Sequence, residues 1–429
     1  MPQDFKIAFV GLTHLGLNYL VSSASKGYLT IGYHHQKLHL DAIKNYKIDY
    51  SEPDLIDKFK KYKKNILLTN DLKEIKKCKL IYISYDVPVN SNNTSDHKSI
   101  IKIINKVIKV ANKNSEIVVL CQVPPGFSKK IRWNKQKLFY QVETLIFGDA
   151  VDRAIHPERI IVGCNSKKYF KKSYLAKFLK KYRCTIITMK LISAEITKIA
   201  INLYLVSSIN TTNMLAEYCE KSGASWSEIV PALRKDKRIG EYAYLKPGVG
   251  IGGDNLKRDL ETFKQISKKI NSNYNLINTW HRNDIIQKKW IFSKINEVLC
   301  DIKKEPNFAL LGLSYKENTN STKNSLSIQI LKKYRRYKFK IYDPVVELES
   351  MNNKHIQVHS LKEAISDSNI LILMTPWKEF KDYKNYFDNF SNSYSNYIID
   401  PFRCIDVSVI NLNFKKFLGK YYSIGESVY

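Results

Sequence analysis

The chain has 429 residues, is 44% hydrophobic and carries a formal charge of +30 at neutral pH. That length is too great for one core and implies two or three domains, while no apolar run approaches the roughly 20 residues a membrane helix needs. The lysines are spread through every segment with short clusters such as KKYKK and no nucleic-acid motif, so the charge reads as solvated surface, leaving a few cations for a polyphosphate ligand.

The first residues, MPQDFKIAFVGL, read as a short strand entering a glycine turn rather than a signal peptide, so a cytoplasmic location is expected. KIAFVGL, YLTIGYH, LIYISYD, EIVVLCQV and RIIVG are strand candidates, separated by amphipathic stretches such as SIIKIINKVIKVANK. This rhythm predicts a parallel, doubly wound sheet. From Ser193 a helical run with apolar spacings of three and four extends to a stop at Gly223. More helix follows to about residue 302, interrupted by a glycine loop. From Asn307 the alternation returns in FALLGLSY, KFKIYDP, NILILMTP and NYIIDP. The expected architecture is α/β: two Rossmann-like doubly wound domains, at 1–192 and 303–429, joined by a central helical domain at 193–302 that carries a long helix. Seven cysteines (78, 121, 164, 184, 219, 300 and 404), odd in number and without a CxxC pair, argue against a disulfide framework and against a metal site.

The most telling stretch is YLKPGVGIGGDNLKRDL, Tyr244 to Leu260. It resembles a loop of the UDP-glucose/GDP-mannose dehydrogenase family that reads roughly FLxPGxGFGGSCLPKDL. The resemblance runs through nearly the whole chain: VGLTHLGL, EPDL at Glu52, TNDLKE, VPPG, HPERIIVG, AEITKIAIN, LGLSYKENTNSTKNS, YDP and IIDPFR fall in the family's order. It implies a dinucleotide-binding domain, a central helix at a homodimer interface, a second Rossmann-like domain for a nucleotide sugar, and a role in polysaccharide biosynthesis.

A dinucleotide turn uses G-x-G-x-x-G: the middle glycine lets the pyrophosphate approach and the last lets the helix pack on the strand. Here the turn is Gly11, Thr13, Gly16, with Leu15 inside it, so a Cβ crowds the phosphate position and the Thr13 hydroxyl offers a contact instead. The family's GYD, whose aspartate would receive the adenosine ribose, is Gly32, Tyr33, His34. Loss of that carboxylate removes a determinant for NAD and also the repulsion that excludes a 2′-phosphate. His35 and Lys37 lie near, so three outcomes stay open: NAD, NADP, or weak binding at a degraded site whose histidines are surface residues.

The family oxidises a primary alcohol on a nucleotide sugar in two hydride transfers, through a thioester on a cysteine, because a thiolate both attacks and leaves well. The position matching that cysteine is Asn255, whose amide offers only hydrogen bonds. The family's S-T-x-P-x-G is Cys121 to Gly126, with Gln122 for the threonine. NPEFLxEG is Gln141 to Gly148, with Glu143 kept and Phe147 for the second glutamate. All three departures fall on groups that handle the thioester and its water. Lys198 and Asn202 match the family's lysine and asparagine at i and i+4, one helical face. An ammonium there stabilises an alkoxide, and Asp259 matches a family aspartate able to orient water or tune the lysine. The alternative for the pair is an ordinary solvated polar face.

For substrate grip the resemblance points to Arg238, Tyr244, Gly250, Gly252, Gly253, Lys316 and Lys323, the last replacing an arginine, while Asn320 and Ser321 replace aspartates. Lysine keeps the charge and loses the bidentate fork. Three functions remain open: an oxidoreductase limited to one hydride transfer, a non-catalytic nucleotide-sugar-binding homologue, or a uronate-forming enzyme that uses another nucleophile such as Cys121.

Overall fold

The computed structural model describes residues 5–48, 50–87, 95–253, 255–303, 305–348, 354–382, 396–406 and 419–427. Its contacts divide the chain into two compact units, Met1–Asn202 and Leu203–Tyr429.

The first unit holds an eight-stranded sheet of β1 (Ile7–Val10), β2 (Thr30–Tyr33), β3 (Ile66–Thr69), β4 (Leu80–Ile83), β5 (Glu116–Val119), β6 (Leu138–Gln141), β7 (Arg159–Cys164) and β8 (Thr185–Met189). The order is β3-β2-β1-β4-β5-β6-β7-β8. All neighbours are parallel except β6 and β7, which run antiparallel with Phe139 opposite Cys164. The expectation of a purely parallel sheet is corrected there, because a return connection without a crossover suffices for an antiparallel neighbour. β1, β4, β5 and β6 are buried along their whole length, as strands covered on both faces must be. Three strands of this sheet were not predicted: β3 and β8, sheet edges with mixed exposure and a weaker pattern, and β6, an interior strand of four residues. The chain order reverses direction between β1 and β4. That switch point opens a crevice at the carboxyl ends of the strands.

The second unit holds β9 (Asn307–Leu311), β10 (Lys338–Tyr342), β11 (His355–Gln357), β12 (Ile370–Leu373), β13 (Asn396–Ile399) and β14 (Gly419–Tyr422). They are ordered β11-β10-β9-β12-β13-β14 and all parallel, which repeats the order of the first six strands of the other sheet. Ahead of this sheet come helices Trp226–Lys235, Asn255–Lys269 and Asn275–Asp301.

A single helix, Leu191–Ser222, begins in the first unit and continues into the second. Gly223, at φ +79°, ends it in a conformation that other residues adopt at a cost. By length, and with an 18-residue window of mean hydropathy 1.3, the helix could cross a membrane, which qualifies the sequence reading that found no such run. Its buried Glu195, Lys198 and Asn213 are nevertheless partnered by protein groups, the pattern of a helix packed in a protein.

Candidate active site

In the first unit the site starts at the turn after β1. Gly11 sits at φ +107°, and a Cβ there would lie 2.4 Å from the Tyr85 ring. A Cβ on Gly16 would lie 1.7 Å from the Gly11 carbonyl oxygen, so the helix His14–Ser25 approaches the strand only because residue 16 has no side chain. The glycine frame therefore fits a dinucleotide turn. The Thr13 hydroxyl, expected to face a phosphate, instead accepts the Asp86 N–H at 2.9 Å. Asp86 Oδ2 in turn accepts the Leu15 N–H at 3.1 Å.

His34, at the end of β2, is buried at 4% exposure, so the alternative of surface histidines is corrected for His34, while His35 beside it is exposed. Burial, with His39 and His35 adding repulsion, holds its imidazole down at about 4. It is neutral at pH 7 and brings no charge to a 2′-phosphate. The His39 ring bonds the Leu12 carbonyl at 2.8 Å, and the rings of His34 and Tyr85 lie 5.7 Å apart.

Lys198 Nζ pairs with Glu143 at 3.0 Å, both side chains nearly buried, and Asn202 lies buried one turn further on. The alternative of a solvated helix face is thus overturned. Glu195, on the same helix, accepts the Ser128 N–H at 2.7 Å and the Gly126 N–H, anchoring the VPPG turn. Gln122 sits half-buried between Cys121 and Val123 in that segment. Cys121 is fully buried, its thiol donates to the Ile83 carbonyl, and burial pushes it up to about 12. Burial of this kind disfavours the thiolate and argues against the route through Cys121. Phe147 stacks on His14 with ring centres 3.8 Å apart. His14 bonds Glu52 at 2.7 Å, and Glu52 also accepts the N–H groups of Gly148 and Ala150.

In the second unit the glycine loop is held from several sides. Gly248 donates to Asn213 at 2.9 Å and Ile251 to Asp284 at 2.6 Å. A Cβ on Gly250 would lie 2.7 Å from Asp284 Oδ1, and Cβ atoms on Gly252 and Gly253 would lie 3.1 and 2.9 Å from the Tyr315 ring. These glycines thus make room for protein groups, a role the sequence reading had not given them. Asp284 also pairs with Lys257 at 3.4 Å and with Lys288, whose ammonium burial lowers to about 8. Asn255 is exposed and opens the helix Asn255–Lys269. Asp259 is 2% exposed and lies 3.6 Å from Arg258.

Arg238 is exposed and forks onto Asp236, with Nε at 3.0 Å. Tyr244 is part-exposed, and its carbonyl accepts the Thr212 hydroxyl. Lys316 lies over the Tyr315 ring at 5.9 Å, and Lys323 is exposed. A cavity of about 640 Å³ opens beside the loop, with Trp226, Arg234, Lys246, Phe402 and Arg403 among its walls. The sequence reading assigned none of these five a role. IIDPFR, which contains Arg403, was the available signal. Among the described residues no group of three or more His, Cys, Asp or Glu side chains is placed to hold a metal ion.

Sequence models of the three domains of one family match this chain: the NAD binding domain over residues 5–181, the central domain over 192–284 and the UDP binding domain over 309–407. Among curated relatives, the UDP-glucose 6-dehydrogenase of Rickettsia felis is 28% identical over 98% of this chain and 96% of its own. The UDP-glucose 6-dehydrogenase of Drosophila melanogaster is 26% identical over 84% of each. Among solved structures, a UDP-glucose dehydrogenase from Pyrobaculum islandicum aligns with a TM-score of 0.83 at 17% identity, covering 99% of this chain and 98% of that one. A UDP-D-ManNAc dehydrogenase from Pyrococcus horikoshii aligns with a TM-score of 0.79 at 20% identity, covering 98% and 99%. At such identities the structures speak for the fold alone. The glycine-turned sheet, the long helix with its Lys198–Glu143 pair and the glycine loop are thus accounted for together: the chain belongs to the UDP-glucose/GDP-mannose dehydrogenase family, nucleotide-sugar dehydrogenases with an NAD binding domain.

Proposed function

We propose that this chain oxidises a nucleotide sugar, a UDP-sugar by its kinship, through one hydride transfer, and stops at the carbonyl product. The observation that carries the reading is the intact, nearly buried Lys198–Glu143 pair with Asn202 on the same face, set against the loss of the thioester groups at Asn255, Gln122 and Phe147. NAD supplies the hydride acceptor when bound; Gly11, Thr13, Leu15, Gly16 and His34 are the residues that would frame it, with Gln122 from the following strand end. Glu143 takes the hydroxyl proton, and the Lys198 ammonium and Asn202 amide stabilise the alkoxide. Asn255 and Asp259 hold substrate or water by hydrogen bonds. The Lys246 and Arg403 cations in the cavity suit the diphosphate, with Arg238, Tyr244, Lys316 and Lys323 as further contacts. Tyr204 and Tyr218, 80% and 69% exposed on the long helix, support a homodimer around it. Domain limits near residues 192 and 302 belong to the same reading.

The test is stoichiometry by absorbance with mass spectrometry of the product, using UDP-glucose and UDP-N-acetylated sugars. The expected result is one reduced nicotinamide per sugar and a carbonyl that hydrazine reagents trap. Lys198→Ala should lower turnover by roughly 10²–10³ while nucleotide-sugar binding stays measurable. Asn255→Cys alone should not produce a uronate. Two reduced cofactors per sugar and a carboxylate product would sink the reading. A second reading, a nucleotide-sugar-binding protein without turnover, is favoured by one observation: Asp86 on the cofactor turn.

A further inference from the structure

We propose that Asp86 is a built-in competitor for the anion position of the cofactor turn, so that a dinucleotide binds only by displacing the chain's own carboxylate. The inference rests on the family's use of NAD. The first amides of a helix have no partners within it, and in a dinucleotide fold they receive the pyrophosphate. Leu15 is the second residue of the helix His14–Ser25, and its N–H donates to Asp86 Oδ2 at 3.1 Å. That helix has no acidic residue in its own first turn, so the negative group comes from elsewhere in the chain. Asp86 follows β4 by three residues, on the other side of the switch point.

A second bond closes the link. The Asp86 N–H donates to the Thr13 hydroxyl at 2.9 Å. Thr13 stands where the turn motif calls for its middle glycine, so the substitution supplies the acceptor that holds Asp86 in place. The preceding residue reinforces this. The Tyr85 ring packs against Gly11, where a Cβ would stand 2.4 Å from it, and the Tyr85 hydroxyl lies 3.5 Å from His35 Nδ1. Ser84 Oγ donates to the Gly11 carbonyl at 2.9 Å. Three consecutive residues, Ser84, Tyr85 and Asp86, therefore contact the turn. A carboxylate and a phosphate cannot share one amide at hydrogen-bond distance, and two anions at that range repel.

The experiment measures NADH binding to the full-length protein by fluorescence, together with the melting temperature without cofactor. Asp86→Ala and Asp86→Asn are compared with the parent; Asp86 is exposed, so both variants should fold. Asp86→Ala should bind NADH about tenfold more tightly, about 1.4 kcal/mol. It should also melt a few degrees lower when empty, because the helix start loses its anion. Asp86→Asn keeps the shape without the charge and should fall between. Unchanged or weaker NADH binding by both variants, in a parent that binds, overturns the proposal. If neither the parent nor Thr13→Gly/Asp86→Ala binds NADH, the family's cofactor use fails for this chain. Amide exchange at Leu15 with inorganic pyrophosphate then decides the proposal separately. Protection in Asp86→Ala but not in the parent supports the competition, and no protection in either overturns it.

Discussion

The two sheets share one strand order and treat the same turn differently. After β1, the Gly11 N–H donates to the Tyr33 carbonyl; after β9, the Gly312 N–H donates to the Tyr342 carbonyl, and both glycines have φ near +100°. The next residue of the neighbouring strand is His34 in the first sheet and Asp343 in the second. Asp343 Oδ2 accepts the Leu313 and Ser314 N–H groups at 2.6 and 3.2 Å. His34 offers a neutral ring, and the turn amide goes to Asp86 from across the switch point. A backbone turn that exposes amides recruits an anion, and the chain has placed that anion on different strands in the two units. The second difference is the helix. In the first unit it starts three residues after the glycine, whereas in the second the helix Leu326–Lys333 starts fourteen residues on. Only the first turn therefore needs a second glycine, Gly16.

The largest effect should come from that glycine. Gly16→Ala puts a methyl 1.7 Å from a backbone oxygen, and we expect a loss of about 3 kcal/mol or more, read from the denaturant midpoint. Retained stability would show that the helix can slide on the strand and that the two turns are less distinct than the geometry says.

Asp343→Ala against Asp86→Ala tests the anions directly. Asp343 is buried and also receives the N–H groups of Val345 and Val346 and the Trp377 indole. Its removal should cost roughly 3 kcal/mol, from several charge-assisted bonds left open. Asp86 is exposed, and its removal should cost under about 1 kcal/mol. Equal losses in chemical denaturation would erase the distinction between an anion that holds structure and one that gives way to ligand.

The third effect concerns pH. His34 titrates near 4 when folded, against about 6.5 in an unfolded chain. Below pH 6.5 the unfolded state gains a proton that the native state refuses, so the contribution is complete above 6.5 and is lost as pH falls to about 4. The gap from 6.5 to about 4 is worth roughly 3 kcal/mol in full and about 2 kcal/mol after solvent screening, and His34→Phe should flatten that part of the stability profile. A profile unchanged by the substitution would mean that His34 is solvated and that the first turn does have a titratable group facing it.

The α/β class, the helix ending at Gly223 and most strands were legible because hydrophobic periodicity and glycine placement are local properties. β3, β8, β11 and β14 were missed where edge positions or brevity leave no clear pattern, and the short, fully buried β6 was missed because four residues without alternation carry no periodic signal. The candidate catalytic residues Lys198 and Glu143 were legible through motif spacing, and the residues that hold them were not. Glu195 reaches Gly126 and Ser128 across 69 and 67 residues, and Glu52 reaches Ala150 across 98. Such distances in sequence carry no periodic trace.

By itself, then, the amino-acid order determined most of the elements, the family resemblance and the absence of a cysteine at residue 255, because each is written in consecutive residues. Tertiary structure alone decided that the Cys121 thiol is buried, that His34 is neutral, that the loop glycines make room for Asp284 and Tyr315, and that Asp86 sits on the cofactor turn. Burial and hydrogen-bond partners set the chemistry of a side chain, and both arise only when distant segments meet.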